Sequence, residues 1–360
     1  MTPRRRPRLP TWALLGALLG ASATTWPWPA EAHRAAALCT STREPALALR
    51  LSQDIAAVLK GRDGTVSVAV HDPARELRCR LDDTLAYDSA SVAKVLIMQA
   101  VLGRAEELGR APTRLEARRM KAMITRSDNT AASDLWQGLS RARLNRVLRE
   151  AGAQDTVLGH DRYWGLTRTT ARDQLALLAA VSRRAEAMNL MGQVAHDQAW
   201  GVSAGAPRTV KVHLKNGWLP RATHAWRVHS IGIARPASPA PGGALDYRIA
   251  LLSHDNPTMR YGVRTLEGIA LVVHRALSGG GTAARGFTPP EKISETPDGS
   301  APYEPPGARP PERTDPTEQA PPKAPPEQGP GPAGRTAAPT SRTARVRRRA
   351  PRRPRSRPSE

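Results

Sequence analysis

A lysine stands inside an apolar run, Val92-Ala93-Lys94-Val95-Leu96-Ile97-Met98. Residues Ser91 to Leu102 read as a helix apolar nearly all round, and such a helix is buried. A buried ammonium is costly unless it is paired or neutral, so Lys94 points to function rather than to structure. Ser91 lies three residues earlier, which puts its hydroxyl and the amine on one helix face, one turn apart. An amine that close can take the hydroxyl proton, provided burial and neighbouring charge lower its own pKa. The start of a buried helix also favours negative charge developing at Ser91. Taken alone, Ser91 reads equally well as a helix N-cap.

Two further motifs follow in order: Ser127-Asp128-Asn129 and Lys215-Asn216-Gly217. Separately, S-D-N could be a turn and K-x-G the end of any strand. As an ordered set with S-x-x-K they outline an acyl-transfer site: a nucleophile, a proton path and an electropositive wall. Around them the chain reads YDSASVAKVLIMQAVL, MITRSDNTAASDLW and VKVHLKNGWLP. In these segments it resembles the serine β-lactamase and penicillin-binding protein superfamily, nearest to class A β-lactamases, over about residues 44–280.

The resemblance assigns roles. Ser91 is the nucleophile and Lys94 the amine that serves it. Ser127 shuttles the proton to the leaving nitrogen, and Asn129 orients Lys94 and the substrate amide. Lys215 attracts a substrate carboxylate and supports Ser127; it shares a strand face with Lys211 and His213. The backbone N–H groups of Ser91 and Trp218 form the oxyanion hole, with Asn216 and Gly217 lining the same wall.

The chain also departs from the family. Asn216 replaces a hydroxyl residue, though its amide can still donate to a carboxylate. Arg126 adds charge at the mouth. Class A enzymes carry a glutamate and an asparagine that activate the deacylating water, in a loop corresponding to Ala153–Thr170. Here that loop reads AQDTVLGHDRYWGLTRTT and contains no glutamate. His160 and Asp161 are its only candidate bases, and a salt bridge to an arginine is the expected role of Asp161. Acylation machinery follows, with deacylation either slow or carried by another base.

Hydrophobic periodicity predicts helices over Pro45–Leu59, Leu115–Thr125, Thr130–Gly138, Arg141–Ala151, Thr170–Arg184 and Met259–Leu277. Strands are expected at Thr65–His71, Leu77–Leu81, Val210–Lys215, Trp226–Ala234 and Tyr247–Ser253. The order implies an α/β fold of the α+β kind: an antiparallel sheet from both chain ends, flanked by helices, with an inserted all-α subdomain. The expected organisation is a signal peptide (1–32), a mature N-terminal segment (33–43), the β-lactamase-like domain (44–280) and a disordered Pro/Arg-rich tail (281–360).

The signal reading rests on Arg4, Arg5, Arg6 and Arg8 before the apolar stretch Trp12–Ala23, with Ala30-Glu31-Ala32 a cleavage candidate. Export makes a Cys39–Cys79 disulfide the simpler reading of the two cysteines, the other being two free thiols. The tail holds 19 of the 33 prolines and too few apolar residues for a core. Nine arginines between Arg342 and Arg357 could bind an anionic envelope polymer or stay solvated.

The net charge of +22 suits anionic surroundings such as wall polymers. Nucleic acid is a poor partner for an exported chain without a recognition motif. No run after the signal is apolar enough for a membrane helix. The nine histidines show no H-E-x-x-H or other metal spacing, so no metal and no cofactor are expected. His229 and His254 read as strand or loop residues. Gly201-Val202-Ser203-Ala204-Gly205 matches a nucleophile elbow but lacks the strand before it and the helix after it.

The sequence therefore predicts a secreted, monomeric serine hydrolase, with the cell wall as a candidate location, that transfers the acyl group of a β-lactam or a peptidoglycan-type D-amino-acid peptide to Ser91. The rivals are a penicillin-binding or sensor-like module without turnover, a degenerate module that holds an anionic wall component, and an α/β-hydrolase built on Ser203.

Overall fold

The computed structural model describes residues 37–221, 223–236 and 246–278. The signal segment and the tail lie outside the described residues. Strands β1 (Cys39–Ser41), β2 (Thr65–Asp72) and β3 (Leu77–Leu81) come from the N-terminal part. Strands β6 (Val210–Pro220), β7 (Trp226–Pro236) and β8 (Tyr247–Asn256) come from the C-terminal part. They form one antiparallel sheet in the order β1-β3-β2-β8-β7-β6, so β2 and β8 join the two ends of the domain.

The central strands are buried on both faces, and their alternation shows it. Ile249 and Leu251 of β8, with Val66, Val68 and Val70 of β2, pack against α1 (Pro45–Leu59) and α8 (Met259–Leu277). Ala250 and Leu252, with Ala69, Ile231 and Ile233, face the opposite core. That second core is built by α2 (Ala93–Glu107), α3 (Arg114–Thr125), α4 (Asn129–Gln137), α5 (Arg141–Ala151), α6 (Ala171–Val181) and α7 (Ala185–Met191). A period of two thus supplies two apolar surfaces, one for the terminal helices and one for the inserted helical part.

Helix starts follow local chemistry. Thr113 and Glu116 form a reciprocal capping box at α3. Thr170 accepts from the Asp173 N–H at α6, and Asp128 from the Ala131 N–H at α4. The helix expected over 170–184 ends at Val181, and α7 starts afresh at Ala185. Arg184 sits at the break, where its guanidinium bonds Glu106 and Gln99 on α2. Cys39 and Cys79 face each other across β1 and β3 and form a disulfide. A closed loop of that length constrains the unfolded chain by roughly 3–4 kcal/mol in the entropy account.

Two short strands escape the periodicity argument. Strand β4 (Tyr87–Asp88) pairs with β5 (Arg168–Thr169), tying the chain before Ser91 to the end of the Ala153–Thr170 loop. No described helix is long and apolar enough to cross a membrane.

Candidate active site

Ser91 sits in a 3-10 turn, Ala90–Val92, that runs directly into α2. Every residue from Val92 to Leu102 is buried, Lys94 completely. Ala90 takes a left-handed backbone (φ +45°), as does Ser127 (φ +57°). Strain of this kind persists where the surroundings fix the geometry, and it clusters at functional sites.

The fold brings Ser91, Lys94, Ser127, Asn129 and Lys215 together from three separate stretches of chain. Lys94 Nζ lies 2.8 Å from Ser91 Oγ, 2.7 Å from the Ser127 carbonyl and 3.0 Å from Ser127 Oγ, and it also contacts Asn129 Oδ1. The Ser127 carbonyl and Asn129 Oδ1 can only accept, so they fix two Lys94 N–H bonds. The remaining direction faces the hydroxyls. As a cation, Lys94 donates to Ser91; as a neutral amine, it presents its lone pair to the Ser91 proton.

Lys215 Nζ donates to Ser127 Oγ at 2.9 Å and to the Asn216 carbonyl at 2.7 Å. Its side chain is buried, and burial pushes its pKa down from 10.5 to about 7. Ser127 Oγ therefore bridges two amines. Lys215 donates to one lone pair of Ser127 Oγ, which leaves the hydroxyl proton able to point away from that lysine. Of the three residues on this strand face, only Lys215 reaches the cluster: Lys211 is exposed, and His213 Nδ1 contacts the Met188 carbonyl.

Gly217 is required by close approach. A Cβ there would stand 2.9 Å from both the Ser91 and Val92 nitrogens and 3.1 Å from the Ser89 carbonyl. Strand β6 thus runs against the Ser91 turn, bringing its backbone beside Ser91 N–H. Trp218 follows, half-buried, with its ring 5.9 Å from that of Trp200.

Asn216 is turned inward. Its amide N–H group donates to the carbonyls of Gln198 (2.8 Å) and Trp200 (3.1 Å), and its Oδ1 accepts from Ser230 Oγ at 2.6 Å. The amide expected to reach a carboxylate instead fastens β6 to the preceding loop. Arg126 is exposed and follows α3 directly. Asp161 is also exposed; its carboxylate lies 3.3 Å from His160 Nδ1 rather than against an arginine. A carboxylate that open to water gains little from fixed pairing.

Sequence reasoning missed Trp164. It is buried, lies with its ring 4.7 Å from Lys94 Nζ and donates from Nε1 to Ser133 Oγ at 3.1 Å. An aromatic face attracts an ammonium, so the ring is a suitable wall for Lys94. The loop carrying it is anchored by Arg141 on the Gly159 carbonyl (2.7 Å) and by Trp136 Nε1 on the Asp161 carbonyl (2.9 Å). Near the Ser91 turn, Ser89 N–H donates to the Thr167 carbonyl at 2.8 Å.

His229 supports the same turn from β7. Burial lowers its pKa to about 4, so it is neutral at physiological pH. Its Nδ1 accepts from Ser253 N–H at 3.2 Å, which leaves Nε2 to donate to the Asp88 carbonyl at 2.9 Å. Residues Gly201–Gly205 form turns leading into β6, with no strand before them and no helix after them. Ser203 is therefore not on a nucleophile elbow.

The model of a family described as the Beta-lactamase enzyme family matches residues 110–228. No curated protein matches the chain. Among solved structures, a class A β-lactamase from Bacteroides cellulosilyticus is 18% identical, with a TM-score of 0.54 over 64% of this chain and 98% of that one. A β-lactamase from Sphaerobacter thermophilus is 17% identical, with a TM-score of 0.52 over 63% and 97%. The protein PBP-A is 18% identical, with a TM-score of 0.53 over 64% and 96%.

The resemblance to the serine β-lactamase and penicillin-binding protein superfamily therefore holds: the fold is the β-lactamase fold, and part of the chain matches that family directly. The likeness to solved structures is one of fold, and the family match over residues 110–228 supports, at the coarse level, a serine hydrolase acting by acyl transfer.

Proposed function

We propose that the protein is exported and transfers the acyl group of a β-lactam, or of a D-amino-acid peptide, to Ser91, forming a long-lived acyl-enzyme. The observation that carries this reading is the Ser91–Lys94–Ser127–Lys215 hydrogen-bond chain beside the β6 backbone.

In this reading neutral Lys94 takes the Ser91 proton as Ser91 Oγ attacks the carbonyl carbon. The oxyanion is held by the Ser91 and Trp218 N–H groups. Ser127 passes its proton to the leaving nitrogen and is reprotonated from the lysines beside it. Lys215, as a cation, attracts the substrate carboxylate. Export rests on the N-terminal basic and apolar segment, and the Cys39–Cys79 disulfide suits an oxidising compartment. The basic tail is the candidate contact with an anionic wall polymer.

Slow deacylation rests on the loop. Trp164 covers Lys94 from the loop side, and its only polar atom is a donor bonded to Ser133. It offers no basic atom to a water, and the loop's one carboxylate-histidine pair, His160 and Asp161, is exposed. Removing free drug after labelling with penicillin tests this directly. The adduct should persist for hours; decay within seconds would show that another group activates water.

Lys215 sets a pH dependence. Its folded pKa of about 7 lies below the ordinary 10.5. The cation that recruits a carboxylate is therefore lost as pH rises through about 7 in the free protein. The apparent affinity for a penicillin should weaken by up to about ten-fold per pH unit above that point. Affinity for the methyl ester of the same drug should stay flat. For folding the sign is opposite: the unfolded chain binds the extra proton, so stability rises with pH between about 7 and 10.5.

A further inference from the structure

We propose that His224, His254 and Asp255 form a binding site for one divalent transition-metal ion of the zinc type. Asp255 Oδ2 lies 3.3 Å from His224 Nδ1 and 2.6 Å from His254 Nδ1, so both imidazoles converge on a single carboxylate oxygen. All three ligand atoms fall within 4.8 Å of one another. A tetrahedral zinc ion with bonds of about 2.0–2.1 Å spaces its ligands by about 3.3 Å, so small side-chain adjustments suffice. Two imidazoles with one carboxylate select zinc-type ions over calcium or magnesium, which prefer oxygen throughout.

The surroundings hold the ligands in place. Tyr87 packs on His254 with ring centroids 4.9 Å apart, and the Tyr87 hydroxyl is fixed by Ser67 Oγ at 2.8 Å. His224 packs on the other ligand, His254, at 4.4 Å. The Asp255 N–H donates to the His224 carbonyl at 2.9 Å, so the two segments are already joined by backbone. Asp255 supplies the negative charge, while the nearby Arg227 is offset by Asp88 at 2.9 Å. His224 and Asp255 are exposed, which lets water complete the tetrahedron.

The site joins the turn of the β6–β7 hairpin to the end of β8. Because β6 carries Lys215 to Trp218, a bound ion braces the hairpin that forms one wall of the cleft. Sequence spacing conceals the site, because His224 lies in the turn before β7 and His254 near the end of β8, and the pairing of β7 with β8 brings them together.

Calorimetric titration of the chelator-treated full chain with zinc chloride, paired with thermal melting, tests the proposal. One equivalent of zinc should bind with micromolar or tighter affinity and raise the melting temperature. His224→Ala and Asp255→Asn change exposed side chains and should each weaken binding by about 100-fold or more, abolishing the melting shift. Both variants should still form the Ser91 adduct, which separates this site from the acyl-transfer reading. An absence of zinc binding, or binding and melting shifts unchanged in both variants, would overturn the proposal.

Discussion

Lys94→Met should lower the rate of Ser91 acylation by about 10²–10⁴-fold, the range expected when a positioned proton acceptor is removed. Methionine fills much the same volume and suits the apolar surroundings of α2, so the fold should survive. The loss would lie in the chemical step. Lys94 Nζ is 2.8 Å from Ser91 Oγ, and its other bonds fix its direction. Stopped-flow acylation by a chromogenic cephalosporin, with circular dichroism as the control for folding, measures it. A rate within a few-fold of the parent would remove Lys94 from the proton path and leave it as a structural lysine stacked on Trp164.

Gly217→Val should be nearly as damaging for a different reason. Its Cβ would press on the Ser91 and Val92 nitrogens at 2.9 Å, both backbone atoms that cannot swing aside. Either β6 or the Ser91 turn must move, and the Ser91 and Trp218 N–H groups would then lose the common focus the proposed oxyanion hole requires. Loss of one oxyanion donor costs about 10²–10³-fold in rate, and overpacking costs about 1–3 kcal/mol of stability. Acylation kinetics and urea denaturation on the same variant separate the two effects. An unchanged acylation rate in a destabilised variant would show that the β6 backbone does not serve the oxyanion.

Much of this site is legible from residue order. S-x-x-K, S-D-N and K-x-G are local patterns, and each predicts an element: a buried helix, a loop before a helix, a strand. The fold then brings the named side chains within hydrogen-bond distance. The sheet is legible for the same reason, since β2, β6, β7 and β8 are long enough to show a period of two.

What escapes the sequence is what depends on packing between distant segments. Strands β4 and β5 are two residues each, too short to carry any period. Trp164 reads as one more loop aromatic until the loop folds against α2. Asn216 could donate outward or inward, and the carbonyls of Gln198 and Trp200 decide it. Asp161 was expected beside an arginine; a left-handed turn (φ +48°) instead leaves it in solvent next to His160.

The most direct measurement is intact-mass spectrometry of the protein with a penicillin, followed over time beside Ser91→Ala. A mass increase of one drug molecule that appears in the parent, persists and is absent from the variant is the predicted result. A folded parent that gains no adduct and hydrolyses no drug would contradict acyl transfer to Ser91.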